Sequence, residues 1–95
     1  MPTYVVLVNW TEQGIKTYKD APKRLQASRE AFQKVGAKIK DAWFTMGPHD
    51  LVVVIDAPND DVFNRLMIDV GSKGYIRTLS LKAWTPEEFG KVVGG

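Results

Sequence analysis

Two stretches decide the fold of this chain, Thr3-Tyr-Val-Val-Leu-Val-Asn9 and Leu51-Val-Val-Val-Ile-Asp56. Both are rich in β-branched side chains, which favour strands. In each stretch the odd and the even positions are both apolar, whereas a strand with one solvated face alternates apolar and polar residues. The pattern therefore predicts two strands that are covered on both sides.

The segments around these strands have the residue spacing of amphipathic helices. Asp20-Ala-Pro22 supplies a capping residue and an early proline for a helix that ends at Gly36, with apolar residues at steps of three and four. A second helix begins at Pro58-Asn-Asp-Asp61 and ends near Gly71. The capping box Thr85-Pro-Glu-Glu88 predicts a third, short helix at the C-terminal end.

Two further strands complete the predicted sheet. Residues 39–46 form a strand that is joined to Leu51–Asp56 by the hairpin-like Gly47-Pro-His-Asp50, and residues 75–83 form the last strand. The order strand, helix, strand, strand, helix, strand is that of the ferredoxin-like fold. We therefore predict one α+β domain over residues 1–95, with a four-stranded antiparallel sheet, helices on one face and a short C-terminal helix.

The apolar character of both strand faces predicts a homodimer. Helices cover only one face of a ferredoxin-like sheet, so the other face of an isolated monomer should be polar. Here that face would carry apolar residues from both stretches, and packing against the sheet of a second copy is the economical way to cover them.

Composition excludes several function classes. The chain has 13 Lys and Arg against 11 Asp and Glu, and these charges are dispersed, so the sequence gives no reason to expect nucleic-acid or membrane binding. It has no cysteine and one histidine, which cannot build a closed transition-metal centre, and we expect no metal and no cofactor. The absence of cysteine suits a cytoplasmic location, and the early Asn9 does not suit a signal peptide.

The sequence resembles the GYD-domain family of the dimeric α/β-barrel superfamily over nearly its whole length. The resemblance rests on several short segments: Pro2–Thr11, Gly14-Ile15, Pro22–Arg24, Thr45–Gly47, Asp50–Pro58, Gly71-Ser72, Arg77-Thr78 and Thr85–Phe89. In this family the tyrosine of a Gly-Tyr-Asp motif is expected where this chain has His49. The resemblance implies a ferredoxin-like protomer that pairs its sheet with a second copy to form a barrel, and it implies little about chemistry.

His49 and Asp50 are the candidate catalytic residues. His49 is the single side chain that titrates near neutral pH in its unperturbed state, and Asp50 follows it in the predicted hairpin. One hypothesis makes His49 a general acid or base that Asp50 orients. The alternative is a solvated turn histidine beside an aspartate that shapes the turn.

Asn9, Trp10 and Trp43 are candidate ligand-binding residues. Asn9 and Trp10 end the first strand, where an amide could point into a cavity at the mouth of a barrel; the alternative is that Asn9 turns the chain through local hydrogen bonds. Trp43 fits either a pocket for a flat ligand or a dimer interface.

Arg77 is the fourth candidate for ligand binding. It lies on the same face of its strand as Leu79 and Leu81, and a guanidinium on an apolar face needs an acidic partner or an anionic ligand. Asp41 or Asp56, from the same or another subunit, could be that partner.

Three functions follow from these alternatives. The favoured one is a small homodimeric α/β barrel that binds a small organic molecule between sheet and helices. The second is an enzyme of the cofactor-independent monooxygenase or isomerase type that uses His49 and Asp50, with Asn9 or Arg77 orienting the substrate. The third is a structural or partner-binding subunit without catalysis, in which the aromatic residues serve assembly only.

Overall fold

The structure is a computed structural model that describes residues 1–94, so residue 95, at the end of the predicted domain, lies outside the described residues. The elements, in chain order, are β1 (Thr3–Trp10), α1 (Glu12–Lys16), a 3₁₀ turn (Tyr18–Asp20), α2 (Ala21–Gln33), β2 (Lys38–Phe44), β3 (Leu51–Asp56), α3 (Asp60–Ser72), β4 (Ile76–Ala83) and α4 (Pro86–Val92).

The four strands form one antiparallel sheet in the order β2-β3-β1-β4. The two chain stretches that decide the fold, β1 and β3, are its two central strands. This topology, with α2 and α3 packed on one face, confirms the predicted ferredoxin-like α+β fold. Across the described residues every helix is too short or too polar to cross a membrane.

The side of the sheet that α2 and α3 cover carries the hydrophobic core, and we call it the helix-covered face. Alternate residues of the strands point into it because side chains along a strand alternate between faces. The core comprises Tyr4, Val6, Val8, Phe32, Ala37, Ile39, Leu51, Val53, Ile55, Ala57, Phe63 and Leu66. Within it the rings of Tyr4 and Phe63 stack, with centroids 3.7 Å apart.

Within residues 1–94 no helix lies over the other side of the sheet, and we call this side the open face. Val5, Leu7, Val52 and Val54 of the central strands are half-buried there. The flanking strands add three exposed apolar side chains, Trp43, Leu79 and Leu81, which are 52%, 56% and 49% exposed. The strand register aligns these residues in rows across the sheet.

Helix α1 was not among the predicted elements. Its cap is Thr11, whose hydroxyl accepts a hydrogen bond from the backbone N–H of Gly14 at 3.1 Å. Asp20, predicted as a cap for the next helix, occupies the position before α2 but its side chain makes no capping hydrogen bond. The 3₁₀ turn that ends at Asp20 runs directly into α2, so the backbone of this residue is already helical.

The predicted starts of the other two helices are confirmed. Asn59 caps α3 by accepting from the N–H of Val62, and Thr85 and Glu88 form the predicted capping box of α4. Helix α4 leaves Phe89 and Val92 exposed. The C-terminal helix therefore adds apolar surface to the molecule.

Candidate functional site

A cavity of about 300 Å³ lies between the sheet and the helices on the helix-covered face. Trp10, Leu25, Phe32, Phe44 and Ile76 are among the apolar residues that line it. A few polar side chains join them: Asp20, Arg24, Ser28, Lys73, Tyr75 and Thr78. A mostly apolar wall with a few polar groups is the usual composition of a small-molecule site.

Arg24 of α2 is the charged residue held most tightly in the cavity wall. Its Nη1 donates to the backbone oxygen and the hydroxyl of Thr17, at 3.2 and 3.1 Å. Its guanidinium lies over the ring of Tyr75, 4.5 Å from the centroid. Its Nη2 is buried and has no hydrogen-bond partner in the described part of the chain. One edge of the guanidinium is therefore fixed, while the donors on Nη2 are unused.

The sequence of α2 explains why Arg24 lies at the cavity. Ala21, Leu25, Ser28 and Phe32 recur at helical spacing on the side that faces the sheet. Arg24 is three residues after Ala21 and four before Ser28, which places it on the edge of the same stripe. A charged residue at the edge of an apolar stripe is the sequence signal that could have identified Arg24, which is not among the predicted site residues.

Tyr75 is fixed by a close approach of α1 to the start of β4. Its backbone oxygen accepts from the N–H of Thr11 at 3.1 Å. A Cβ on Gly14 would lie 1.9 Å from the same oxygen, so only glycine fits there. Gly14 thus lets α1 hold the backbone of Tyr75, whose ring lies beneath the Arg24 guanidinium.

A second group of polar side chains lies at one end of the open face. His49 is half-buried, and its Nδ1 is 2.9 Å from Oδ1 of Asn9. Asn9 donates through Nδ2 to the backbone oxygen of Pro48 at 2.8 Å. Because the amide oxygen can only accept, Nδ1 of His49 is the donor of this hydrogen bond.

The carboxylate and the backbone N–H of Asp50 both form hydrogen bonds with the backbone of β1. Its carboxylate accepts from the N–H of Trp10 at 2.9 Å, and its own N–H donates to the oxygen of Val8 at 2.8 Å. These contacts fix the hairpin against the end of β1. The hydrogen bond of the His49 ring goes to Asn9, whereas the side-chain carboxylate of Asp50 accepts from β1.

Arg77 lies on the open face directly across from Asn9 in the β1–β4 register. Its strand position matches the prediction, but none of the ion pairs within residues 1–94 includes it. Asp56, one of its two expected partners, accepts from Thr3 and pairs with Lys40. The predicted partner of Arg77 within the same chain is therefore not observed, and a partner from another subunit stays a prediction.

A sequence model of the GYD domain matches residues 4–93. The chain belongs to the GYD-domain family.

A relative from Thermus thermophilus is named glutamine synthetase and cystathionine beta-lyase binding protein. It is 30% identical over 84 residues, which is 87% of this chain and 88% of the relative. A crystal structure of a protein from Thermus thermophilus matches 90% of this chain and 95% of its own, with a TM-score of 0.56 and 22% identity. The feast or famine regulatory protein of M. tuberculosis, solved with L-methionine, matches 90% of this chain and 51% of its own, with a TM-score of 0.68 and 15% identity. These two structural likenesses show the fold.

In this GYD-domain protein the sheet separates the four residues predicted to bind a ligand. Trp10 points to the helix-covered face and lines the cavity. Asn9 alternates with Trp10 along β1 and therefore belongs to the open face. Arg77 is paired with Asn9 in the strand register, and Trp43 is paired with Val52 of the open face, so these two residues belong to the same face. The structure thus brings Asn9, Arg77 and His49 to one end of the open face and places Trp10 behind the sheet.

The groups with shifted pKa values lie outside both regions. Burial, together with a hydrogen bond from its hydroxyl to Asp60, raises the pKa of Tyr4 to about 12. The same hydrogen bond, assisted by Lys82, lowers the pKa of Asp60. Backbone and side-chain hydrogen bonds from Thr85 lower the pKa of Glu88. Among residues 1–94 there is no group of three or more acidic or histidine side chains that could hold a metal ion.

Proposed function

We propose that this GYD-domain protein binds a small organic molecule in the cavity between the sheet and the helices. The cavity itself carries the proposal. Its volume of about 300 Å³ is at the lower end of the range for ligand sites, and its lining combines aromatic and aliphatic walls with a few polar groups. An unfilled space of this kind lowers the stability of a small domain, because packing contacts are missing from the core.

The test is to fill the cavity. Ser28 is half-buried in the cavity wall, so Ser28→Phe should occupy part of the space. Gln26→Phe is the matched control, since Gln26 is on the same helix, is exposed and is outside the cavity lining. A library of small organic fragments is screened by ¹H–¹⁵N NMR against the wild type and both variants.

We expect wild type and Gln26→Phe to bind fragments, with shifts at the amides of Ser28, Tyr75 and Ile76 in the wild type. Ser28→Phe should lose those fragments. If no fragment moves these amides, or if Ser28→Phe binds fragments as the wild type does, the proposal is wrong. Native mass spectrometry of freshly purified protein then shows whether a natural ligand remains bound.

We further propose that the open face pairs with the open face of a second copy. Its half-buried and exposed apolar residues support this, because monomers rarely leave a contiguous apolar patch of this kind exposed. Sedimentation velocity at micromolar concentration should give a dimer. Leu81→Arg should give a folded monomer, and Ser80→Arg, on the opposite side of the same strand, should remain dimeric. A monomeric wild type would contradict this assembly.

A second candidate function is binding to an enzyme partner. The name of the Thermus thermophilus relative, a binding protein for glutamine synthetase and cystathionine beta-lyase, favours it. The exposed apolar side chains of Phe89 and Val92 on α4 offer a contact surface besides the open face. Titrating each of these two enzymes with the protein and with Phe89→Ser, in an interferometry assay, tests the idea. Failure of the wild type to bind either enzyme would overturn it.

The enzyme hypothesis based on His49 and Asp50 stays a prediction. The hydrogen bond from His49 to Asn9 and the position of Arg77 across from Asn9 support one part of this hypothesis. In that part, Asn9 or Arg77 orients the substrate while His49 acts as acid or base. Asp50 would then support the hairpin and would not orient the ring. Any activity found should fall in both His49→Ala and His49→Gln, and an activity that survives both substitutions excludes the hypothesis.

A further inference from the structure

We propose that the ligand of the cavity is a small carboxylic acid with an apolar body, and that Arg24 binds its carboxylate. This inference rests on the proposed function, because it names the chemical class of the molecule that the cavity would take. The GYD-domain match assigns neither a role to Arg24 nor a charge preference to the cavity.

Arg24 has an unused donor, Nη2, in the cavity wall. Nη1 bonds to Thr17, and the central carbon of the guanidinium lies over the ring of Tyr75, which limits the rotation of the group. Nη2 is buried without a hydrogen-bond acceptor in residues 1–94. Leaving a buried donor unpaired costs about 1–3 kcal/mol, and more for a charged group, so native structures rarely leave one unpaired. Arg24 lines the cavity, so a ligand that binds there is placed to supply an acceptor once a small rotation exposes Nη2, and this acceptor removes the cost.

The charge of the cavity wall also favours an anionic ligand. Arg24 and Lys73 are its cationic residues and Asp20 is its acidic one, which leaves an excess of positive charge. Asp20 is exposed and forms no ion pair with Arg24 within the described residues. The cationic excess favours an anion over a neutral or cationic ligand. A planar carboxylate matches the planar guanidinium better than a lone oxygen acceptor does.

The remainder of the wall is mostly apolar and specifies the body of the ligand. Trp10, Leu25, Phe32 and Phe44 contribute aromatic and aliphatic surface to it. A hydrophilic anion such as inorganic phosphate would leave that surface without a partner. The volume of about 300 Å³ limits the body to a single ring or a short chain.

The experiment compares acids with their neutral amides of the same shape. The probes are phenylacetate, 3-phenylpropanoate, 4-phenylbutanoate and 5-phenylpentanoate, each with its primary amide. Binding is measured by ¹H–¹⁵N NMR titration at neutral pH against the wild type, Arg24→Gln and Lys23→Gln. Lys23 precedes Arg24 on α2, is exposed and does not line the cavity, so its variant removes the same charge without touching the site.

We expect at least one acid to bind the wild type and Lys23→Gln about tenfold or more tightly than its amide, the effect of a charge-assisted hydrogen bond. Arg24→Gln should lose this preference while still binding the amide. Should Arg24→Gln fail to fold, Arg24→Lys serves in its place, and it should keep the charge preference only in part because it lacks the planar group.

The other outcomes separate the two proposals. Acids and amides that bind the cavity equally well, or a preference that Arg24→Gln retains, would overturn the role of Arg24 and leave small-molecule binding intact. If neither acids nor amides move the amides of the cavity residues, and the fragment screen also finds nothing, both proposals fail together.

Discussion

The two faces of the sheet are built from the same kinds of side chain and have different surroundings. Val53 and Val54 are neighbours on β3, yet Val53 is buried in the core and Val54 is half-buried on the open face. Leu79 and Leu81 of β4 are about half exposed, whereas Val6 of the adjacent strand is 1% exposed. The difference comes from α2 and α3, which cover one face.

The burial of a side chain therefore depends on its surroundings as much as on its chemistry. The helix-covered face has its core and a cavity within one chain. The open face has apolar residues that no helix within residues 1–94 covers. Substitutions on the two faces should therefore differ in their effects on stability.

Gly14→Ala should give the largest effect, because the contact between α1 and Tyr75 has no room for an added atom. The new Cβ would meet the backbone oxygen of Tyr75, which cannot move aside as a flexible side chain would. We expect a loss of about 3 kcal/mol in the free energy of unfolding, measured by urea denaturation.

Gly71→Ala is the control for this substitution. Gly71 is in α3 with open space around its Cα, so alanine should leave stability unchanged or raise it by up to about 1 kcal/mol. Equal effects of the two substitutions would show that the close approach of α1 to Tyr75 does not constrain the fold.

Val53→Ala and Val54→Ala compare the two faces directly. Val53→Ala should cost about 2 kcal/mol at every protein concentration, since it removes buried methyl groups from the core. Val54→Ala should cost less than about 1 kcal/mol at protein concentrations too low for dimers, and more at higher concentrations. Urea denaturation at two protein concentrations separates them. A cost for Val54→Ala that is as large as that for Val53→Ala and independent of concentration would contradict an open face.

Tyr4→Phe tests the polar edge of the helix-covered face. Losing the hydrogen bond from the hydroxyl to Asp60 should cost about 1 kcal/mol at pH 7. The pKa of Tyr4 is about 12 in the folded protein against 10.0 as its ordinary value, so this stabilisation is complete below pH 10.

As the pH rises from 10 to 12, the stability advantage of the wild type over Tyr4→Phe should shrink, because the unfolded chain loses the tyrosine proton first. Comparing the two proteins cancels the titration of the lysines and of the other tyrosines. Denaturation curves at pH 8, 10 and 11 measure the difference. A constant difference across this range would show that the folded protein does not raise the pKa of Tyr4.

Asp60→Asn should have the smallest effect. The pKa of Asp60 is lowered by the hydrogen bond from Tyr4 and by Lys82, so its stabilisation is present above the ordinary pKa of 3.8 and disappears as the pH falls through the lower folded value. The variant should be slightly less stable than the wild type at pH 7 and equal to it at strongly acidic pH. Asp61→Asn removes a charge from the same turn of α3 and is the control. A difference that persists in acid would contradict this assignment.

Much of the fold could be predicted from the sequence because its local signals agree. The apolar runs of β1 and β3, the capping box at Thr85 and the helical spacing around Phe63 each indicate one structure, and each is observed. Helix α1 was missed because it is only five residues long and its main support, the contact of Gly14 with Tyr75, is distant in the sequence.

The candidate sites were less predictable because they depend on contacts between distant segments. The sequence suggests that Asp50 orients its neighbour His49, whereas the folded hairpin brings the His49 ring to Asn9, forty residues away. The ligand candidates were grouped by chemistry, but strand parity divides Trp10 from the other three. Arg24 was passed over because a charged residue on a helix is usually solvated.

Local propensity and the periods of strand and helix specify the strands, the main helices, the ferredoxin-like order and the apolar character of both sheet faces, so these features could be predicted from the sequence. Tertiary packing sets which face the helices cover, that a cavity remains beneath them, and that Arg24 has an unpaired donor. These properties arise from packing between elements that are far apart in the chain, and no local pattern records them.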